Sequence, residues 1–223
     1  MNKSILIILI SFSLNIHSKP PIYVSLGSNC VPAFRLNDNS LRLAAYPFDW
    51  LIASFSATYS AIKEDFAHFF TELTLNENGS GVIDAYGLEF LHDWRIASHP
   101  DVDLQTVDWV PNNIIVDTWQ DMVPEILIKY QRRINRFRSV CNSNEKVCFI
   151  RAESITKEES ILLRDLIIHQ YPNLGFILVV VSKNTAFETP WNLDKLKNFY
   201  IEPNDLQQWT TMLKQLEQES DLY

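Results

Sequence analysis

Positive charge is in short supply. Lys and Arg number 19 against 27 Asp and Glu, for a formal net charge of −8 and a pI near 5.1. Non-specific nucleic-acid binding rests on Lys and Arg neutralising phosphates, so no nucleic-acid partner is expected. Metal-ligand spacings are also missing: the chain has no Cys-x-x-Cys, no His-x-x-x-His and no His-Glu-x-x-His. Glycine is scarce, with five residues in all, and Gly27-Ser28-Asn29 falls short of the glycine count of a dinucleotide or phosphate loop. Neither a metal nor another cofactor is expected. No apolar run reaches the roughly 20 residues of a stable membrane span, and there is no internal repeat or low-complexity stretch.

What is present fits one globular domain. The 223 residues are 47% hydrophobic, enough to bury a core without metals or a disulfide framework. Residues 1–18 read as a signal segment: Lys3, a short apolar run over 5–14, and Ser18 ahead of Lys19-Pro20-Pro21. Export, periplasmic or secreted, is therefore expected, with a domain over 22–223. Three cysteines make an odd count. Cys141 and Cys148 bracket a polar turn and are close enough in sequence to close a small loop, which would leave Cys30 as the unpaired thiol. The alternative is three reduced cysteines packed as small hydrophobes.

The chain alternates strands and helices. Ile22-Tyr23-Val24-Ser25-Leu26 reads as a strand, and residues 30–36 as a short helix with Pro32 in its first turn. Tyr46-Pro47-Phe48-Asp49-Trp50 is an aromatic loop, and residues 52–64 and 66–74 read as helices. Residues 82–118 have no sustained period. A strong amphipathic helix covers 119–140, a strand 147–150, and a helix with a Thr156–Glu159 capping box runs to about residue 170. The fully apolar run over 175–181 is the pattern of a strand covered on both faces. A short strand at 199–201 and a closing helix from Asn204 or Asp205 complete the chain. The pattern predicts an α/β fold: a mainly parallel sheet with helices on both faces, three layers in one domain.

Cys30 is the sharpest chemical feature. It falls where an apolar strand turns into a helix, and helix N-termini favour thiolates. Fast alkylation at neutral pH is the corresponding expectation, and the backbone N–H groups over Ser28–Val31 are candidates for an oxyanion hole. A thiol nucleophile needs a base. His17 lies in the signal segment, His169 late in a helix, and His68 among Phe66, Phe69 and Phe70. His99 shares the irregular stretch with His92. His92, beside Asp93 and Trp94 in a loop, is the best candidate, expected within about 5 Å of the Cys30 sulfur. Neighbours in an extended segment point opposite ways, so Asp49 rather than Asp93 is a candidate to orient it. Asp49 is expected to be buried, with Arg42, Arg133, Arg151 or His92 as partner, or to cap the helix near residue 52. Lys129, Arg132, Arg133, Arg136 and Arg138 form a basic stripe on one helix, which is a solvated face or, with Arg151, an anion pocket.

These residues resemble the family of papain-like cysteine peptidases. The resemblance rests on Ser25-Leu26-Gly27-Ser28-Asn29-Cys30, Leu41-Arg42, Tyr46-Pro47-Phe48-Asp49-Trp50 and His92-Asp93. It continues through Tyr130-Gln131-Arg132-Arg133-Ile134-Asn135-Arg136-Phe137 and Phe149-Ile150-Arg151, so that it covers about residues 22–185. It implies a cysteine hydrolase with Cys30 as nucleophile and His92 as base, acting on a peptide, amide or ester. Asp49 is the candidate third member, and Asn192 enters only by analogy. Ser28, Asn29, Arg42, Trp50, Asp93, Arg133, Arg136 and Arg151 form the candidate binding set. Two rivals stay open. One is a small GDSL-like serine esterase using Ser28, although residues 191–223 contain no His. The other is a non-catalytic module that holds an anionic ligand through Arg133, Arg136 and Arg151.

Overall fold

The computed structural model describes residues 19–97, 114–153 and 155–219. The expected signal segment, with His17, and also His99 lie outside the described residues. In chain order the elements are β1 (Ile22–Ser25), α1 (Val31–Asp38), β2 (Leu51–Ile52), α2 (Phe55–Lys63), β3 (Thr74–Leu75), β4 (Val82–Ile83) and β5 (Glu89–Phe90). A 3₁₀ turn (Trp119–Met122) then leads into α3 (Val123–Cys141), β6 (Lys146–Ala152), α4 (Lys157–Gln170), β7 (Gly175–Ser182), β8 (Leu196–Tyr200) and α5 (Leu206–Gln218).

Four strands form a parallel sheet in the order β1-β6-β7-β8. Its central strands β6 and β7 are nearly all buried, as expected where helices cover both faces. One face packs α1 and α5 through Leu36, Trp209, Met212, Leu213 and Leu216. The other packs α2, α3 and α4. The architecture is therefore the expected three-layer α/β domain. Local signals also hold. Thr156 and Glu159 make the reciprocal capping box that opens α4, and Asp205 caps α5 by accepting from the Gln208 amide at 3.0 Å.

Two sequence expectations are corrected. Residues 66–74 are not a helix: Asp65, Phe66, Phe70 and Glu72 all have positive φ, which breaks a right-handed helix at each of them. The i, i+3, i+4 spacing of Phe66, Phe69 and Phe70 reads as helical, and all three are buried. A series of tight turns reaches the same burial while delivering the Phe70 amide to Asp84 Oδ2 at 2.9 Å. Cys141 and Cys148 are reduced thiols set toward opposite faces of the sheet. Cys141 packs against the α2/α3/α4 side and Cys148 against the α1/α5 side. The strand alternation that turns Cys148 away removes the loop closure, and with it the odd-cysteine argument for export.

The start of the stretch without a period supplies β4 and β5 to a second sheet, β2-β5-β4-β3, wholly antiparallel. Two-residue strands carry too little period to read from sequence. Arg151 joins this region to the main sheet. Its side chain is fully buried (0% exposed). It donates from Nη1 to the Leu26 carbonyl (2.7 Å) and Thr58 Oγ1 (3.0 Å), and from Nη2 to the Ala53 carbonyl (2.8 Å). The expectation that Arg151 lines an anion pocket is thus corrected: Nη1 and Nη2 are spent on the end of β1, on Ala53 after β2 and on α2, while the buried Nε has no partner. Arg151→Met strands these buried acceptors and should cost at least about 3 kcal/mol, measured by urea unfolding. A loss below about 1 kcal/mol would mean that water replaces the clamp.

Candidate active site

The turn after β1 keeps its pairing with β6. Leu26 N donates to the Ile150 carbonyl (2.8 Å), Ala152 N to the Gly27 carbonyl (2.9 Å) and Ser28 N to the Ala152 carbonyl (3.2 Å). Gly27 has φ +79°, and a Cβ there would sit 3.3 Å from the Ala53 Cβ, so the position takes glycine on both counts. Asn29 Oδ1 accepts from Val31 N (3.0 Å) while its Nδ2 donates to Glu153 Oε2 (3.2 Å). These bonds fix Cys30 as the N-cap residue of α1.

His92 reaches the same place by strand register. β2 pairs with β5 as Leu51↔Phe90 and Ile52↔Glu89. Continued past the strand ends, that register sets Trp50 and Asp49 against Leu91 and His92. The turn after β5 is pinned by Trp94 Nε1 donating to the Phe90 carbonyl at 2.8 Å. Asp93 ties it to α3, accepting from the Tyr130 hydroxyl at 2.6 Å and pairing with Lys129. The Cys30 Sγ–His92 Nε2 distance is 3.4 Å. Trp50 presents its ring edge-on to His92, with centroids 6.3 Å apart, and Phe34 packs on Trp50 at 4.8 Å.

The carboxylates serve other groups than His92. Asp49 is 1% exposed. Its Oδ2 accepts from Arg42 Nη2 (2.7 Å), Arg42 Nε (3.0 Å) and the Tyr46 amide (3.0 Å). The proposed orienting role for Asp49 is therefore not the arrangement seen: an arginine partner makes it structural, and Ser54, not Asp49, caps α2. Burial pushes the Asp49 carboxyl up while Arg42 and the Tyr46 amide pull it down. With only donors converging on Oδ2, the ionised form is the one this geometry holds. Asn192 is exposed, in the segment between β7 and β8.

Of the remaining binding candidates, Arg42 also lies over the Trp50 ring at 5.1 Å. Arg136 Nη1 donates to the Ala45 carbonyl, which commits it to the loop, while Arg133 lies over Tyr130 at 5.0 Å. The three-arginine anion pocket is thus not assembled: Arg151 and Arg136 hold backbone carbonyls in different places. Ser28 is buried and its hydroxyl donates to the Ala152 carbonyl at 2.8 Å, the wrong setting for a serine nucleophile. Sequence reasoning missed Lys129 and Tyr130 as the supports of Asp93. Both sat in the amphipathic pattern of α3, one as surface charge and one as core, with no signal that they meet a loop so far away in sequence.

Electrostatics correct the thiolate expectation. Burial pushes the Cys30 thiol up to about 11, its own backbone amide pulls it down, and the fields of Asp49 and Asp93 push it up again. Burial also lowers His92, against the opposing pull of Asp93. The desolvation of both partners outweighs the helix N-terminus, so the resting pair is a neutral thiol facing a neutral imidazole. Cys30 should react with iodoacetamide at pH 7 no faster than an ordinary free thiol, and the rate should climb with pH toward about 11, as followed by mass spectrometry. A fast plateau at neutral pH would establish a thiolate. Asp49→Asn should cost about 3 kcal/mol in urea unfolding, because it leaves Arg42 without its buried partner. Unchanged stability would separate Asp49 from the loop's architecture.

Comparisons with known proteins give the family. A family described as "Putative papain-like cysteine peptidase" matches residues 21–185, a span that contains Cys30, His92 and both carboxylates. An uncharacterized protein of Acanthamoeba polyphaga mimivirus is 27% identical over 218 residues, covering 86% of this chain and 93% of the viral protein. No solved structure matches the chain. With most of its length matched, the chain belongs to the family so described.

Proposed function

We propose that the protein is a cysteine hydrolase that cleaves a peptide, amide or ester bond, with Cys30 as nucleophile and His92 as general base. The observation that carries this reading is the 3.4 Å contact between Cys30 Sγ and His92 Nε2, which is within reach for proton transfer. As sulfur attacks the substrate carbonyl, its proton passes to His92 Nε2 and an S–C bond forms. Collapse of the tetrahedral intermediate breaks the bond to the leaving group, which takes that proton, and an acyl-thioester remains. Water, deprotonated by His92, then releases the acid and restores the thiol. Ser28 N and Val31 N are already committed to Ala152 and Asn29. The oxyanion therefore falls to the amides of Asn29 and Cys30. Trp50 and Phe34 supply an apolar wall beside His92. Export belongs to the same proposal, supported by Lys3 and the apolar run over residues 5–14.

Turnover of fluorogenic peptide amides and p-nitrophenyl esters tests the reading. Cys30→Ala should abolish it, and His92→Ala should lower kcat/KM by about 10²–10⁴-fold. The base works only when neutral. Because burial lowers its pKa, the acid limb of kcat/KM should fall below the ordinary imidazole value of 6.5. Wild-type turnover by Cys30→Ala would overturn the reading.

A further inference from the structure

Among the described residues, Arg133 has no carboxylate partner, unlike Arg42 and Lys129, and holds no backbone carbonyl, unlike Arg136 and Arg151. Arg42 is bonded to Asp49 and Lys129 to Asp93. Arg133 is only 8% exposed, and its buried Nη1 has no hydrogen-bond partner. Its surroundings are the face of Tyr130, 5.0 Å from the guanidinium carbon, and the field of Asp49. Desolvating a guanidinium with an unmade hydrogen bond costs several kcal/mol. Asp49 reaches both Arg133 and Cys30 electrostatically, and Tyr130 links Arg133 to Asp93 beside His92. One side chain, Tyr130, therefore separates this cation from the turn that carries His92.

We propose that Arg133 receives a carboxylate of the substrate, so that the Cys30 site selects acidic substrates. The proposal rests on the hydrolase reading for the word substrate, but the binding event does not. Charge favours a carboxylate over a phosphate. Arg42, Lys129, Arg133 and Arg151 stand against Asp49, Asp93 and Glu153, with His92 neutral, which leaves one net positive charge. A monoanion neutralises it, whereas a phosphate dianion would overshoot beside these carboxylates. The carboxylate can be an acidic side chain or a chain terminus.

The test is protection of Cys30 from iodoacetamide at pH 9, read by mass spectrometry on the full chain. The probes are N-acetylglutamate α-amide for a side-chain carboxylate, N-acetylalanine for a terminal one, the neutral N-acetylglutamine α-amide, and inorganic phosphate. At least about fivefold protection by one of the two carboxylate probes, none by the neutral match, and its loss in Arg133→Gln are expected. Whichever carboxylate protects identifies the source. If Arg133→Gln does not fold, Arg133→Lys, which keeps the charge but loses the planar fork, should weaken protection severalfold. Equal protection by the neutral amide, stronger protection by phosphate, no protection at all, or full protection in a folded Arg133 variant would each overturn the proposal. The Cys30→Ser chain separates this from catalysis. It cannot be acylated through a thiol, yet its melting temperature should still rise with the carboxylate probe, and an unchanged melting temperature would also overturn the proposal.

Discussion

The buried guanidinium of Arg151 is the interaction on which the rest of the site depends. Its donors take the Leu26 and Ala53 carbonyls and Thr58, groups from the end of β1, the segment after β2 and α2. Among the described residues no other side chain bonds to all three, and Ala53 N reinforces the link by donating to the Ser28 carbonyl at 2.7 Å. Burial lowers its pKa to about 10, yet the group stays charged at any physiological pH. The charge is dispersed over carbonyl dipoles rather than met by an adjacent carboxylate. This fixes the distance between the Cys30 turn and the antiparallel sheet. Since β2 also sets the register of β5, it fixes the distance from Cys30 to His92 as well.

The parallel sheet was legible in the sequence because each of its elements announces itself. The apolar run of β7, the capping box of α4 and the amphipathic face of α3 are local signals of sufficient length. Cys30 was legible for the same reason: a strand, a glycine and a helix start are contiguous. His92 stood out by its loop setting and its family motif. The antiparallel sheet was not legible, because its strands are two residues long. Nor were the partners of the carboxylates. Four candidates for Asp49 were compatible with its sequence position, and only the fold of the 41–50 loop, which turns Arg42 back over Trp50, selects one of them.

The same contrast explains the thiol. Position at a helix N-terminus is visible in sequence and argues for a thiolate. Burial is a property of the assembled fold, and here it dominates. With the thiol pushed up to about 11 and the imidazole lowered by burial, the proton favours sulfur. Proton transfer is then coupled to attack rather than completed beforehand, because sulfur becomes acidic only as its bond to carbon forms. His92 needs no charged orienting carboxylate in the resting state: a neutral base is held by the edge of Trp50 and by the backbone of a pinned turn.

Two carboxylates near a nucleophilic thiol look counterproductive, since each raises the cost of a thiolate. Their bonding explains why the site tolerates them. Asp49 organises the loop that carries Trp50, and Asp93 fastens the turn that carries His92 onto α3. Each is matched by its own cation, so their fields at Cys30 are largely those of dipoles, which fall off faster than those of bare charges. Arg133 breaks the pairing. Its charge is offset only by a share of Asp49 and by an aromatic face, and so it is the group whose field at the site a bound anion would change most. The geometry of the pair Cys30–His92 is therefore set by ion pairs and backbone bonds already made, while Arg133 holds a charge that neither a carboxylate nor a carbonyl among the described residues meets.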